Sequence, residues 1–575
     1  MRSGLSLASE RMMHRLFRSR FLLLALTLSA LVCTRTNALP NRAAVASAHP
    51  LASEAGVEIL ARGGNAFDAA VAVSAALGVV EPYGSGLGGG GFFLLHLASD
   101  DKDIMIDGRE VAPAAARADM YLDENGEPLP GASRNGPLAA GIPGLPAALV
   151  HLAENYGRLP LSESLQPAIR FAEQGFPAYD WHVSRLERLA SGMNDSAKSV
   201  FLPDGKVPAV GSTIYQMDLA KTLRSLVLEG HDGFYKGEVA RKLLEGVQRD
   251  GGIWSEEDLA SYKIIEREPL VGSYGDVTIV SAPPPSAGGV ALINMFNMLS
   301  GYDIKDASTV TRVHLLVEIM RRAYRDRGQY LGDPDFIDIP LDMLLHPFYA
   351  VGQRANLRLD QATPSTSLPG VQPIQLAGGN QTSHFSILDM DGNIVAATQS
   401  INFSYGSKYM AAGTGVLLNN EMDDFSKKPG EPNGYQLLGS DANSIQPGKR
   451  MLSSMTPTIL RSREGAAILG SPGGSQIITM VFLSGLSWIE GSDANEMAGQ
   501  SRFHHQYFPD RIFFEDASLT GAERAALESM GHRLELNQRT VGNGNLQIVT
   551  WNRVTNAVQA ASDPRGIGEP RYYEP

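Results

Sequence analysis

The chemistry in this sequence gathers around one hydroxyl. Thr382 begins the run Thr382-Ser383-His384-Phe385-Ser386-Ile387, preceded by Gly378-Gly379-Asn380-Gln381. A threonine at the free end of a strand, next to a flexible approach, can attack the carbonyl of the residue before it. Attack on Gln381 would turn the Gln381–Thr382 amide into an ester, and water would then free the Thr382 amine. An α-amine titrates at about 7.7–8.0, so it can serve its own hydroxyl as general base near neutral pH. On this stretch alone an ordinary exposed hairpin that begins with polar residues is the better fit.

Other candidates lie downstream and upstream. Glu421 and Asp424 stand three apart, so one helical turn puts both carboxylates on one face; a solvated acidic turn or a cation site has the same spacing. Gly473-Gly474 offers two successive N–H groups with no side chain in front of them, which is what an oxyanion hole requires and also what a tight turn looks like. Arg109, in Gly108-Arg109-Glu110, carries a rigid fork suited to a carboxylate or to a surface ion pair. Pro429-Gly430-Glu431-Pro432-Asn433-Gly434-Tyr435 reads as a turn-dense surface loop with an exposed aromatic.

These residues need elements to hold them. Ser383 to Ile387 nearly alternates polar and apolar residues, as a half-buried strand does. Met390-Asp391-Gly392-Asn393 is a hairpin turn, and Ile394 to Asn402 is the returning strand. Leu51 to Ala61 and Phe67 to Val79 read as helices, the second apolar enough to be buried. Arg312 to Arg327 reads as an amphipathic helix. Leu145 to about Leu316 reads as mixed helices and turns, and Asp360 to Gln375 as a mobile segment leading to Thr382. Gly86-x-Gly88-x-x-Gly91 fits the dinucleotide fingerprint, but that motif needs a strand before it and a helix after it. Here a helix precedes and the strand-like Phe92 to His96 follows, so the run reads as a close-packed glycine loop.

Several ordered motifs together resemble the γ-glutamyltranspeptidases. They are Asn380-Gln381-Thr382-Ser383-His384-Phe385-Ser386, Leu418-Asn419-Asn420-Glu421-Met422-Asp423-Asp424-Phe425-Ser426, Leu452-Ser453-Ser454-Met455-Thr456-Pro457-Thr458 and Gly470-Ser471-Pro472-Gly473-Gly474-Ser475. Gly86 to Phe92, Pro283 to Gly289, Tyr330 to Phe336 and Ala561 to Arg565 extend the likeness across the chain. The resemblance implies an α+β fold of the N-terminal nucleophile hydrolase type, an αββα four-layer sandwich. It implies a large subunit of about Leu39 to Gln381 and a small one of Thr382 to Pro575, cut from one precursor. It assigns Thr382 as nucleophile, Gly473 and Gly474 to the oxyanion, and Ser400 to holding the nucleophile's hydroxyl. Arg109, Ser453 and Ser454 match the residues for a donor α-carboxylate. Asn402, Glu421 and Asp424 match those for its α-amine, and Tyr435 a lid. The implied donors are glutathione and related γ-glutamyl compounds; the acceptors are water, amino acids or dipeptides. The family usually has Thr where Ser383 and Ser400 stand; both keep a hydroxyl. The rival readings are a glutaryl-cephalosporin acylase, a poly-γ-glutamate hydrolase and an unprocessed binding protein of the same fold.

Composition narrows the classes. A net charge of -13 over 575 residues argues against nucleic acid and anionic membrane surfaces as partners. The single cysteine, Cys33, allows no disulfide framework and no cysteine-based zinc site. No metal or cofactor is expected: HExxH, the P-loop lysine motif and GxSxG are all absent, and His504-His505 reads as structural. Arg11, His14, Arg15, Arg18 and Arg20 precede the apolar run Phe21 to Cys33, the outline of a secretory signal peptide. Cleavage after Ala38 is the expectation, with export to a periplasm or beyond; the run is too short for an ordinary transmembrane helix. Lipid attachment at Cys33 is disfavoured by the bulk of Val32.

Overall fold

The computed structural model describes residues 39–372, 382–537 and 544–575. The expected signal segment, Cys33, the Gly378–Gln381 approach and the Gln381 side of the expected cut lie outside these. The strands of the two large sheets are, in chain order, β1 (Ala43–Ser47), β2 (Gly90–Leu97), β3 (Lys102–Gly108), β4 (Ile265–Arg267), β5 (Leu270–Tyr274), β6 (Val277–Ser281), β7 (Ser383–Leu388), β8 (Ile394–Ser400), β9 (Thr458–Arg461), β10 (Gly465–Gly470), β11 (Gln547–Asn552), β12 (Ala557–Ser562) and β13 (Arg571–Tyr573). One sheet has the order β13-β1-β7-β8-β2-β3-β4, the other β12-β11-β10-β9-β6-β5. The helices that matter for the site are α1 (Pro50–Ala61), α2 (Ala66–Val80), α3 (Leu145–Asn155), α4 (Leu161–Gln174), α5 (Gly288–Leu299), α6 (Thr309–Tyr330) and α7 (Ile477–Ile489).

Side-chain alternation sorts these elements into layers. Val45, Phe93, Leu95, Ile106, Phe385, Ile387, Val395 and Ala397 face one way and pack with α1, α2, α3 and α4. Ala44, Ala46, Phe92, Leu94, Met105 and Ala396 face the other way, into a core shared with Ile459, Ile468, Val549 and the helices α5, α6 and α7. The result is helix, sheet, sheet, helix, the αββα expectation. Every residue of β7 is buried, so the expected half-buried strand is corrected. Its polar face meets a second sheet rather than water, and that sheet is built from residues far away in sequence.

The hairpin forms as its turn residues dictate. Gly392 has φ 87°, a conformation that costs glycine little. Asp389 closes the loop, its Oδ1 accepting from Asn393 N at 2.9 Å and its Oδ2 from Ala66 N, also at 2.9 Å, at the start of α2. Asn65 and Asp68 cap that helix reciprocally. The register pairs Ser383 with Gln399, so the next step along the ladder sets Thr382 opposite Ser400.

The glycine run is the close-packed loop that the sequence suggests. A Cβ at Gly88 would lie 1.9 Å from the Leu417 carbonyl oxygen, and one at Gly89 2.0 Å from that of Ser400. The backbone of this loop therefore buttresses the end of β8. Gly89→Ala should force that end away at a cost of about 1–3 kcal/mol. A lowered thermal midpoint is expected; an unchanged one would mean that the loop can relax.

Candidate active site

Thr382 directly precedes β7 and lines a small cavity. Arg109, Ser400, Asn402, Glu421, Asp424, Tyr435, Ser453, Ser454 and Gly474 line the same cavity, so residues from widely separated parts of the sequence converge on one hydroxyl. Thr382 Oγ1 stands 3.4 Å from Ser400 Oγ. Ser400 Oγ accepts from Asn402 N at 2.7 Å, which occupies one lone pair and leaves the Ser400 proton to be directed at Thr382. Asn402 has φ 73°, a left-handed kink that asparagine tolerates better than most residues. The kink ends β8 and turns the side chain back, so that Nδ2 donates to Asn420 O at 2.9 Å. The amide's carbonyl end is then the end that suits an ammonium.

Behind the nucleophile, Ser383 points to the helical side. Its Oγ donates to Glu81 Oε2 at 2.5 Å and lies 3.1 Å from Ser85 Oγ, which also accepts from Gln399 Nε2 at 2.9 Å. Glu81 is fully buried and burial pushes its carboxyl up to about 7, so this carboxyl–hydroxyl contact anchors the strand that carries Thr382. On the other face, His384 Nδ1 pairs with Thr398 Oγ1 at 2.8 Å. Burial keeps His384 neutral, its pKa lowered to about 3.

Gly473 and Gly474 sit between β10 and α7. Their φ angles are 140° and 56°, which side chains rarely adopt. A Cβ at Gly473 would also come within 2.4 Å of Met480 Cε. Gly474 lines the cavity beside Thr382, with Gly473 one residue before it. Two successive N–H groups near the start of a helix are suited to a developing oxyanion.

The far end of the cavity is an ion cluster. Glu421 to Asp424 forms a single 3-10 turn, and both carboxylates reach Arg109, at 2.6 Å from Nη1 and 2.7 Å from Nη2. Glu110 Oε2 lies 3.4 Å from Nη1, and Nε donates to Met451 O at 3.1 Å. Three carboxylates thus share one guanidinium. Burial, then Glu421, pushes Asp424 up to about 8; burial raises Glu421 and Glu110 to about 7, against the pull of Arg109. Near neutral pH the cluster therefore keeps a proton.

Ser453 and Ser454 are backed by the Pro283–Gly289 turn. Ser453 N donates to Pro285 O at 2.8 Å, and Ser286 Oγ to Met455 O at 2.6 Å. Tyr435 corrects the expectation of an exposed aromatic. It is 6% exposed, stacks on Phe403 at 4.7 Å, and donates from its hydroxyl to Asn402 O at 3.0 Å. Apolar neighbours and an acceptor on the kinked backbone draw the ring inward over the cavity.

Glu81, Glu110, Arg327 and Phe403 were not singled out from sequence. Glu110 had a signal, since it adjoins Arg109. Arg327 had none, because it is one of four arginines, with Arg321, Arg322 and Arg325, on a helix that reads only as amphipathic; all four are buried. Arg327 Nη2 donates to Ser454 Oγ at 3.2 Å.

One group of possible metal ligands is present among the described residues, His314, Glu318 and His532. His314 Nε2 donates to Arg358 O at 2.7 Å, so its Nδ1 accepts from His532 Nε2, also at 2.7 Å. Glu318 is held by Arg321 and Arg322. Every ligand atom is engaged beside two cations, which does not fit a metal ion. His504 and His505 are buried and hydrogen-bonded to Thr479, Gln506 and Asp510, in keeping with a structural role. No helix among the described residues is long and apolar enough to cross a membrane.

The raised carboxyls set a sign for stability. Unfolded, these groups titrate near 4; folded, they hold protons up to about 7 and about 8. Between those limits the folded state binds more protons, so stability falls as pH rises. Below about pH 6.5 the buried histidines, held neutral, act in the opposite sense, so the thermal midpoint of the ligand-free protein should drop between about pH 6.5 and about pH 8.5, and Asp424→Asn should flatten that slope; parallel curves for the two proteins would refute the cluster's role.

The likeness to known proteins runs along most of the chain. The γ-glutamyltranspeptidase family profile matches residues 52–573. A glutathione hydrolase proenzyme of Pseudomonas sp. (strain A14) is 43% identical over 498 residues, 85% of this chain and 86% of that protein. One from Escherichia coli (strain K12) is 38% identical, covering 91% and 90%. The crystal structure of a cephalosporin acylase from Bacillus halodurans superposes with a TM-score of 0.81 at 27% identity, covering 93% of this chain and 96% of that one. The chain belongs to the γ-glutamyltranspeptidase family, with the N-terminal nucleophile hydrolase fold.

Proposed function

We propose that the chain is a self-processing γ-glutamyltranspeptidase that cleaves the γ-glutamyl amide of glutathione and related donors. The observation that carries this is one cavity holding a hydroxyl nucleophile at one end and paired acidic and basic groups at the other. In the processing step Thr382 Oγ1 adds to the Gln381 carbonyl carbon. The amide nitrogen leaves as the Thr382 amine, and water hydrolyses the resulting ester. In turnover the freed amine takes the Thr382 hydroxyl proton and the oxygen attacks the donor's γ-carbonyl. The Gly473 and Gly474 N–H groups hold the oxyanion, and the amine returns the proton to the leaving cysteinylglycine nitrogen. Water then releases glutamate from the γ-glutamyl ester, or an amino acid or dipeptide amine takes the acyl group.

The donor's α-ammonium matches Asn402, Glu421 and Asp424; its α-carboxylate matches Arg109, Ser453 and Ser454. Charge-assisted hydrogen bonds contribute roughly 1.5–3 kcal/mol each, enough to discriminate against amides that lack either group. The acylase reading fits less well. A glutaryl group brings no ammonium, which would leave Glu110, Glu421 and Asp424 sharing Arg109 with no donor cation to answer them. The two polypeptides, residues 39–381 and 382–575, would stay paired, and the segment before residue 39 would direct export.

The test is intact mass under denaturing conditions. Two polypeptides that divide between Gln381 and Thr382 are expected, with one uncut chain for Thr382→Ala; an uncut wild-type chain after long incubation refutes the reading. γ-Glutamyl-p-nitroanilide should turn over and glutaryl-p-nitroanilide should not. Ser400→Ala removes a hydrogen bond of about 1 kcal/mol and should slow kcat by up to about tenfold.

A further inference from the structure

We infer that Arg327 is a positioning residue for the donor's α-carboxylate, the second cation of the site, acting through the Ser454 hydroxyl. The inference rests on the γ-glutamyl reading of the cavity and deepens it.

Arg109 alone is poorly placed to attract an anion. Its Nη1 serves Glu421 and Glu110, its Nη2 serves Asp424, and its Nε serves the Met451 carbonyl. Around one positive charge stand three carboxylates, so the net field is negative even with a proton retained. That field suits an incoming ammonium, and Arg109 can meet the carboxylate of the same donor only as the ammonium draws Glu421 and Asp424 away from it. A zwitterionic donor needs a positive centre that the acidic residues do not already occupy.

Arg327 meets the requirement. It lies in the last turn of α6 and is 4% exposed. No ion pair within salt-bridge distance is formed by it among the described residues, and its Nε is buried without a hydrogen-bond partner there. A buried arginine without a carboxylate partner is costly unless something else supplies the negative charge. Its Nη2 donates to Ser454 Oγ. That bond fixes the serine electronically: the lone pair facing Arg327 is occupied, so the Ser454 proton is turned elsewhere and the hydroxyl is a stronger donor. Ser454 lines the cavity, and a carboxylate there would receive a hydrogen bond backed by a full positive charge. The charged and titratable groups bearing on Arg327 are Asp424, Tyr324 and Arg109. The pocket is thus polarised, with its anionic side on the Glu421–Asp424 turn and its cationic side on α6.

The test compares two donors in Arg327→Gln. γ-Glutamyl-p-nitroanilide carries both α-groups; 4-aminobutyryl-p-nitroanilide lacks the carboxylate. We expect KM for the first to rise about tenfold or more, with kcat within about threefold. The ratio of kcat/KM between the two donors should fall by a similar factor. In a Ser454→Ala background the Arg327→Gln effect should shrink, since the two act as a unit. Arg327→Lys keeps the charge on a shorter chain and should show the same ratio change at smaller amplitude, covering the case in which the glutamine variant is not processed. Equal losses on both donors, or no loss on the first, overturn the assignment. If wild-type protein turns over neither donor, the γ-glutamyl reading falls and takes the inference with it.

Discussion

The site depends on a buried guanidinium surrounded by acids. Ions removed from water cost several kcal/mol each unless their partners are well placed. Here Arg109 directly follows β3, Glu421 and Asp424 sit on a turn 312 and 315 residues further along, and the cluster exists only when both regions are folded against each other. It is also incomplete as a neutral assembly, with Glu110 Oε1 and Glu421 Oε1 buried and lacking hydrogen-bond partners among the described residues. A structure that tolerates such groups is organised around something that will satisfy them. On the reading proposed above a donor's ammonium would do so, and its entry would loosen the grip of the carboxylates on Arg109.

Register does the equivalent work at the other end of the cavity. Because β7 and β8 pair Ser383 with Gln399, Thr382 and Ser400 meet at the open mouth of the hairpin. A slip of one residue would turn Thr382 to the helical side and Ser383 to the cavity. The slip is opposed on both faces, by Ser383 on Glu81 and by His384 on Thr398. The glycine run presses against β8 so closely that no side chain fits.

Much of this was legible in the sequence because it is local. The Gly392 turn, the Glu421–Asp424 spacing and the Gly473-Gly474 pair are each set within a few residues, and each takes the local conformation its residue types suggest. What was not legible is what distant chain does to a local pattern. The alternation in β7 is that of a half-buried strand, yet β10 and β11 cover its polar face. Tyr435 sits among turn residues, and only Phe403 and the Asn402 carbonyl draw it inward. The arginines of α6 have the look of a solvated face, because apart from Glu318 on the same helix their partners, Asp510 and Ser454 among them, come from distant parts of the chain. Burial of charge is a property of the tertiary structure, and periodicity does not encode it.

The strand order carries a consequence for how the molecule persists. In the first sheet β7 and β8 lie between β1 and β2, and β13 covers the outer edge of β1; in the second, β9 abuts β6. Segments from either side of Thr382 are interleaved like the fingers of two hands. Cutting the backbone before Thr382 would free an end without freeing a piece. Its effect would fall on the unfolded state, which would become two chains instead of one. Reassembly would then be bimolecular and dependent on concentration, while the folded molecule kept every ladder it had before. A protein of this kind folds once, as a single chain, and its lifetime afterwards is set by how slowly it opens rather than by how readily it could form again.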